Sequence, residues 1–278
     1  MGVISFFIII ATVLFSWQGF RNRSLYENYL FNVDKVLVEK DYKRLITSGF
    51  LHVSWMHLIV NMFSLYAFSE SVELYLGVGQ YLLIFFASLI GGNLLSLFIH
   101  RHHGDYRSVG ASGAVCGIIF AAIAVFPGMS IGIFPFPISI PAWIYGLIYV
   151  LYSIFGIRSA SNDTGHDAHL GGALVGMMIA IAMVPSSLST NLLPILAVTI
   201  PSLVFIYIMV SKPQFLLTNK KVFTKKKESL SIDHRYNAEK REIQREVDRI
   251  LDKIGRKGMK SLTQKEKDML REHSRAVK

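Results

Sequence analysis

The sequence predicts an all-α protein: a polytopic membrane helical bundle followed by a small helical tail. Three observations predict it. First, long stretches carry no charge, namely Val3–Trp17, Val78–Ile99, Val109–Ile157 and Leu170–Val210. A hydrocarbon core about 30 Å thick takes roughly 20 apolar residues as helix to cross. Second, that core offers no water to unpaired backbone groups, so such runs must be helical. Third, charge is segregated. Residues 211–278 hold 20 of the 29 Lys and Arg and 10 of the 19 Asp and Glu, so the whole net charge of +10 lies there. An apolar content of 52% decides little by itself, since ordinary globular chains approach it.

Seven spans follow in order: Val3–Trp17, Met56–Leu76, Gly79–His100, Ser112–Phe126, Pro141–Ile157, His169–Val184 and Leu192–Val210. Met1–Trp17 lacks a basic n-region and a small-residue cleavage site, and reads as a retained first span. The loop Gln18–Trp55 mixes charge with aromatic residues and is expected to be structured or interfacial. The link Ile131–Pro141 is apolar and Pro-rich, so it should stay near the membrane surface. Cys116 is the single cysteine, which excludes an internal disulfide.

After Val210 the character changes. Lys220, Lys221 and Lys225–Lys227 form a basic patch of the kind that meets anionic headgroups or marks a cytoplasmic end. Ile243, Val247, Ile250 and Ile254 recur at helical spacing until Gly255 and Gly258 interrupt them. Thr263 and Glu266 have capping-box spacing and open a second helix through Met269 and Leu270. The tail is expected to be a helical hairpin that is either a solvated appendage or a module for a partner or anionic lipid. Nucleic acid is not expected as a partner.

Polar groups inside spans are costly, and four places stand out. Ser112 lies in Gly110-Ala111-Ser112-Gly113, with Gly117 further along. Small residues at this spacing serve close helix packing, and the same glycines leave a serine hydroxyl approachable. His169 is followed by Gly172 and Gly176, a flat face on which a neighbouring helix can lie. If that neighbour carries Ser112, the imidazole can take the hydroxyl proton that otherwise makes serine a poor nucleophile. His57 and Asn61, four apart, share a helix face and can aim donors at one point, as an oxyanion needs, or simply join helices. Glu73, with Gly77 after it, is expected to support a span end rather than react. Asn61, Ser112 and His169 lie near the starts of the second, fourth and sixth spans. Alternate crossing puts the starts of even spans on one side of the membrane, so the candidates share one layer.

These residues resemble the rhomboid family of intramembrane serine proteases. The segment Arg44-Leu45-Ile46-Thr47-Ser48-Gly49-Phe50-Leu51-His52, with His57 and Asn61, resembles the family's first loop and second span. Val72-Glu73 with Gly77 resembles its span-ending acid and glycine. Gly110-Ala111-Ser112-Gly113 with Gly117, and Ala168-His169 with Gly172 and Gly176, resemble its serine and histidine motifs. The resemblance implies a six-helix rhomboid-like protease core over residues 1–190, one extra transmembrane helix over 191–211, and a basic soluble helical tail over 212–278.

It also implies a serine endopeptidase of the cell membrane. Ser112 and His169 form a dyad, and His57, Asn61 and the Ser112 amide form an oxyanion hole. Gly113 and Glu73 give support. The substrates implied are transmembrane segments of other membrane proteins, met within the lipid bilayer, with no cofactor and no metal. His166, three before His169, suggests a zinc pair, but metal sites want three or four ligands. The alternative is a catalytically silent relative that binds membrane clients. A transporter would place its polar groups near span centres, often in broken helices, and does not fit.

Two positions depart from the family pattern. Lys43-Arg44 stands where Trp-Arg is usual, which implies a loop less anchored at the interface. Cys116 stands where an aromatic ring often stacks on the histidine, which implies a His169 held less tightly. Orientation is pulled two ways. An odd span count puts the tail on the active-site side, which in the family is extracytoplasmic, whereas Lys and Arg bias favours a cytoplasmic tail.

Overall fold

The computed structural model describes residues 2–126, 128–132, 139–159 and 165–211, together with Val247, Arg249, Ile250, Lys253, Ile254, Leu262, Thr263, Gln264, Glu266, Lys267 and Leu270 of the tail. The chain divides into two compact units, residues 1–219 and 220–278.

In the first unit α1 (Val3–Arg21) leads into a loop with structure of its own: α2 (Arg23–Tyr29), β1 (Phe31–Asn32), α3 (Val33–Leu37), α4 (Arg44–Thr47) and a 3-10 turn, Ser48–Phe50. Then come α5 (Trp55–Leu76), α6 (Val78–His100), β2 (Arg107–Ser108) and α7 (Ser112–Val125). A hairpin of β3 (Ser130–Gly132) and β4 (Ser139–Pro141) precedes α8 (Ala142–Ser159) and α9 (His166–Met183). The short α10 (Ser187–Thr190) and α11 (Leu192–Ser211) close the unit. This is an all-α, multi-pass membrane bundle.

The seven expected spans correspond to α1, α5, α6, α7, α8, α9 and α11, with shifted ends. Helix α1 runs on to Arg21, whose guanidinium lies 4.6 Å from the Trp17 ring centre. Asn22 then ends α1 and caps α2, its side chain accepting from the Leu25 amide. Helix α9 begins three residues earlier than expected, so His169 sits in its first turn and not at its opening. Asp167 occupies that first turn, where a carboxylate favours a helix start.

Length separates the spans. Helices α1, α6 and α9 are long and apolar enough to cross a bilayer, and α5 joins them if its bent pairing with Arg44–Phe50, at 97°, counts as one span. Helix α7 has 14 residues, about 21 Å of rise, and falls short of a ~30 Å core. It is the central helix: every residue from Gly113 to Val125 is buried. It packs chiefly against α9 and α6, while α8 leans on α11 and α9.

Two antiparallel pairs of short strands interrupt the helical pattern. β1 pairs with β2 through Phe31–Ser108 and Asn32–Arg107, tying the first loop to the segment that leads into α7. Asn32 reinforces this tie by donating to Gly104 O and capping α3 at Lys35 N. The second pair, β3 with β4, falls in the link expected near the membrane surface, of which residues 133–138 lie outside the described residues.

The first loop is held from within by Arg44, which is 5% exposed. Its guanidinium donates to Leu30 O at 2.7 Å, Glu27 O at 2.9 Å and Asp41 Oδ2 at 2.9 Å. A buried charge requires such partners. Lys43, beside it, remains a surface residue paired with Asp41 at 3.5 Å.

In the tail unit, Thr263 and Glu266 form the expected capping box. The Thr263 amide donates to Glu266 Oε2 at 2.7 Å and the Glu266 amide donates to Thr263 Oγ1 at 3.3 Å. Lys253 Nζ donates to both Glu266 oxygens, at 2.9 and 2.8 Å. Val247, Ile250 and Leu262 are buried. Ile243, Gly255, Gly258, Met269 and the basic patch Lys220, Lys221 and Lys225–Lys227 lie outside the described residues.

Candidate active site

Backbone contact between α7 and α9 builds the site. A side chain at Gly172 would collide with the backbone of Gly113, and one at Gly176 with the backbone of Gly117. The glycines meet in the same order along both helices, so α7 and α9 run parallel and in register. Small-residue faces of this kind let helix axes approach closely. Ser112 and His169, just before these contacts, are therefore carried to the same end of the bundle. His169 Nε2 lies 2.6 Å from Ser112 Oγ.

The approach to Ser112 is pinned by three contacts. β2 pairs with β1, the Gly110 amide donates to Ser48 O at 3.0 Å, and the Ala111 amide donates to His52 Nε2 at 3.4 Å. Because His52 Nε2 accepts, its Nδ1 carries the ring proton and donates to Ser16 Oγ at 2.9 Å. Ser16 in turn donates to Phe50 O at 2.8 Å. His52, fully buried, thus joins α1, the 3-10 turn and the loop before Ser112. Gly110 has φ +138°, and a Cβ there would stand 2.8 Å from His57 Cε1 and 3.6 Å from Ser112 Oγ. Only glycine meets both demands.

His57 and Asn61 are placed differently. Ser54 caps α5 at the His57 amide, and the His57 ring lies against Gly110 and borders one pocket with Ser112 and His169. It meets His52 edge to face at 4.9 Å, and its Nδ1 has no hydrogen-bond partner among the described residues. Asn61 is buried one turn along, where its Nδ2 donates to His57 O at 2.9 Å. In this geometry the Asn61 amide is engaged by its own helix.

Gly113 serves packing, with the Ala168 carbonyl 3.3 Å from where a Cβ would be. Glu73 acts at the far end of α5, where its two oxygens accept from the Ile4 and Ser5 amides, each at 3.0 Å. It satisfies the first turn of α1 with a carboxylate where the helix dipole favours one.

The other face of His169 holds a residue that the sequence reading passed over. Tyr149, on α8, sets its hydroxyl 2.8 Å from His169 Nδ1, and the Cys116 thiol donates to the same hydroxyl at 3.3 Å. The small Cys116 leaves room for this contact, so His169 is held on both nitrogens despite the missing ring at position 116. Tyr145, Tyr149 and Tyr152 do form a stripe at helical spacing, but nothing in that spacing tells which neighbour it faces. His166 lies edge to face with His169 at 5.7 Å. Asp167 is engaged elsewhere, with His100 Nε2 at 3.2 Å and the Tyr106 hydroxyl at 3.3 Å.

A multi-pass helical bundle that brings a serine and a histidine together beside a histidine-lined pocket defines a narrow class, and comparison with known proteins specifies it. The Rhomboid domain model matches residues 39–186. The chain belongs to the rhomboid family. Residues 230–276 match a second model, a family of unknown function designated DUF6576.

Among similar proteins, "Rhomboid protein 1, mitochondrial" of Saccharomyces cerevisiae is 32% identical over 150 residues, covering 51% of this chain and 43% of that protein. "RHOMBOID-like protein 12, mitochondrial" of Arabidopsis thaliana is 28% identical over 188 residues, covering 62% and 55%. "Presenilin-associated rhomboid-like protein A, mitochondrial" of Danio rerio is 32% identical over 135 residues, covering 48% and 35%. The chain thus spans about half or less of the length of these relatives.

Proposed function

We propose that the protein is an intramembrane serine endopeptidase that cuts transmembrane segments of other membrane proteins. The observation that carries this reading is the 2.6 Å contact between Ser112 Oγ and His169 Nε2 within a membrane bundle. Ser112 Oγ attacks a substrate carbonyl carbon as its proton passes to His169 Nε2. The resulting oxyanion is held by His57 and the Ser112 amide, joined by Asn61 once its amide turns from His57 O. His169 returns the proton to the departing amine as the C–N bond breaks, and water then releases the acyl group from Ser112 by the same route. Donors aimed at a developing charge are worth most where water is scarce.

The short α7 supports the same reading, because Ser112 opens a helix too short to reach both faces. A scissile bond must come into the bundle to meet it, which suits a membrane-spanning substrate whose end unwinds. The cell membrane as its location belongs to this proposal, and fractionation against organelle markers checks it. So does the division into a protease core, an extra helix and a basic tail.

The test is labelling with a fluorophosphonate probe together with cleavage of a reporter transmembrane substrate. Wild type should be labelled and should cleave. Ser112→Ala and His169→Ala should cut turnover by roughly four to six orders of magnitude, as in other serine hydrolases, while keeping the bundle folded. A folded wild type that is neither labelled nor active would turn the reading toward a client-binding relative.

A further inference from the structure

A base that accepts the Ser112 proton at Nε2 must carry its other proton on Nδ1, and that N–H needs an acceptor in a buried site. In many hydrolases a carboxylate meets this need. Here Asp167, two residues before His169, is turned to His100 and Tyr106. His166 meets His169 edge to face, with ring centres 5.7 Å apart. What does face Nδ1 is the hydroxyl of Tyr149 at 2.8 Å. The two rings are 5.7 Å apart and inclined by 36°, so the contact is made by the hydroxyl and not by stacking. Cys116, one turn beyond Ser112, donates its thiol to the same oxygen at 3.3 Å.

We propose that Tyr149 is the positioning residue of this site: its phenol oxygen accepts the His169 Nδ1 proton and thereby selects the tautomer whose Nε2 is free to receive the proton of Ser112. This rests on the Ser112–His169 reading above and extends it to a third side chain, supplied by a different helix. A phenol oxygen has two lone pairs, enough to accept both from the His169 Nδ1–H and from the Cys116 thiol. During attack the proton moves from Ser112 Oγ to Nε2. The Nδ1 proton stays where it is, and the phenol oxygen steadies the resulting imidazolium without taking a proton. The opposite arrangement, in which the phenol donates to Nδ1, would place the ring proton on Nε2 and disable the base.

Two measurements test this. In wild-type protein with 15N-labelled histidine, His169 should show a protonated Nδ1 and an unprotonated Nε2. The opposite pattern would overturn the proposal without any variant and whether or not the protein turns over a substrate. In Tyr149→Phe the ring stays and the acceptor goes. His169 should then mix its tautomers, and kcat should fall tenfold or more with KM within about twofold. The acid limb of the kcat profile should move to lower pH, because the imidazolium has lost a partner. A Tyr149→Phe variant with an unmoved acid limb and an unmixed tautomer would sink the assignment, even if its activity were reduced. Failure of the fluorophosphonate to label wild type would instead remove the protease reading, leaving the tautomer measurement to judge Tyr149 alone.

Discussion

Gly172 lies so close against the Gly113 backbone that no side chain fits between them. This contact, repeated by Gly176 on Gly117, sets the distance between α7 and α9 and with it the reach from Ser112 to His169. Gly172→Ala should force the helices apart. Since a shift of about 1 Å costs on the order of a hundredfold in rate, reporter cleavage should fall by about that factor. Gly172→Val should also lower the melting temperature in detergent. Wild-type cleavage in Gly172→Val would show that the helix spacing does not govern the site.

His57 and Asn61 should differ in weight. His57 already borders the pocket, and its Nδ1 has no hydrogen-bond partner among the described residues, whereas Asn61 donates to His57 O. Removing one preorganised oxyanion donor typically costs about 100- to 1,000-fold in kcat. His57→Ala should lose that much, and Asn61→Ala, whose amide must first turn, should lose less. Single-turnover cleavage of the reporter measures both, and an equal or reversed order would contradict this geometry.

Glu73 should matter for stability and not for chemistry. Its oxygens cap α1 at Ile4 and Ser5, far from Ser112 along α5. Glu73→Ala leaves the buried Ser5 amide and the part-buried Ile4 amide unpaired, at about 1–3 kcal/mol. Thermal unfolding in detergent should show a clear drop, while kcat measured well below the melting temperature should stay within about twofold of wild type.

The tail offers a pH prediction. Lys253, and after it the Thr263 amide, hold the Glu266 carboxyl down to about 2. A carboxylate depressed on folding contributes its stability above the unfolded value of about 4.3 and loses it as pH falls through about 2. The capping box should therefore persist at pH 5 and weaken between about pH 4 and pH 2. Carbon NMR of Glu266 in the full chain should titrate near 2 in wild type and return toward about 4.3 in Lys253→Ala.

The pairing of Ser112 with His169 was legible in the sequence because glycines at matching intervals follow both residues, and such intervals imply close parallel helices. The capping box was legible for a related reason: its chemistry is local, and four consecutive residues suffice to state it. Tyr149 was not, because its partner lies on another helix and its own helix shows only an aromatic stripe. The role of His52, a residue of the family-like first-loop segment, was not legible either. It works through the Ala111 amide, and backbone groups leave no mark on composition. The paired strands β1 and β2 span two residues each, too few for any periodicity. The early start of α9 depends on Asp167 finding His100 and Tyr106, contacts made in space and not along the chain.

From Gly113 onward, α7 is enclosed on every side by its neighbours. Lipid therefore never touches the helix that carries Ser112. A thicker or thinner bilayer presses on α1, α6 and the exposed flank of α5, and reaches Ser112 only as those helices tilt. Sensitivity to membrane composition, when measured, should map to substitutions on the outer helices and leave lipid-facing chemistry at α7 with nothing to act upon.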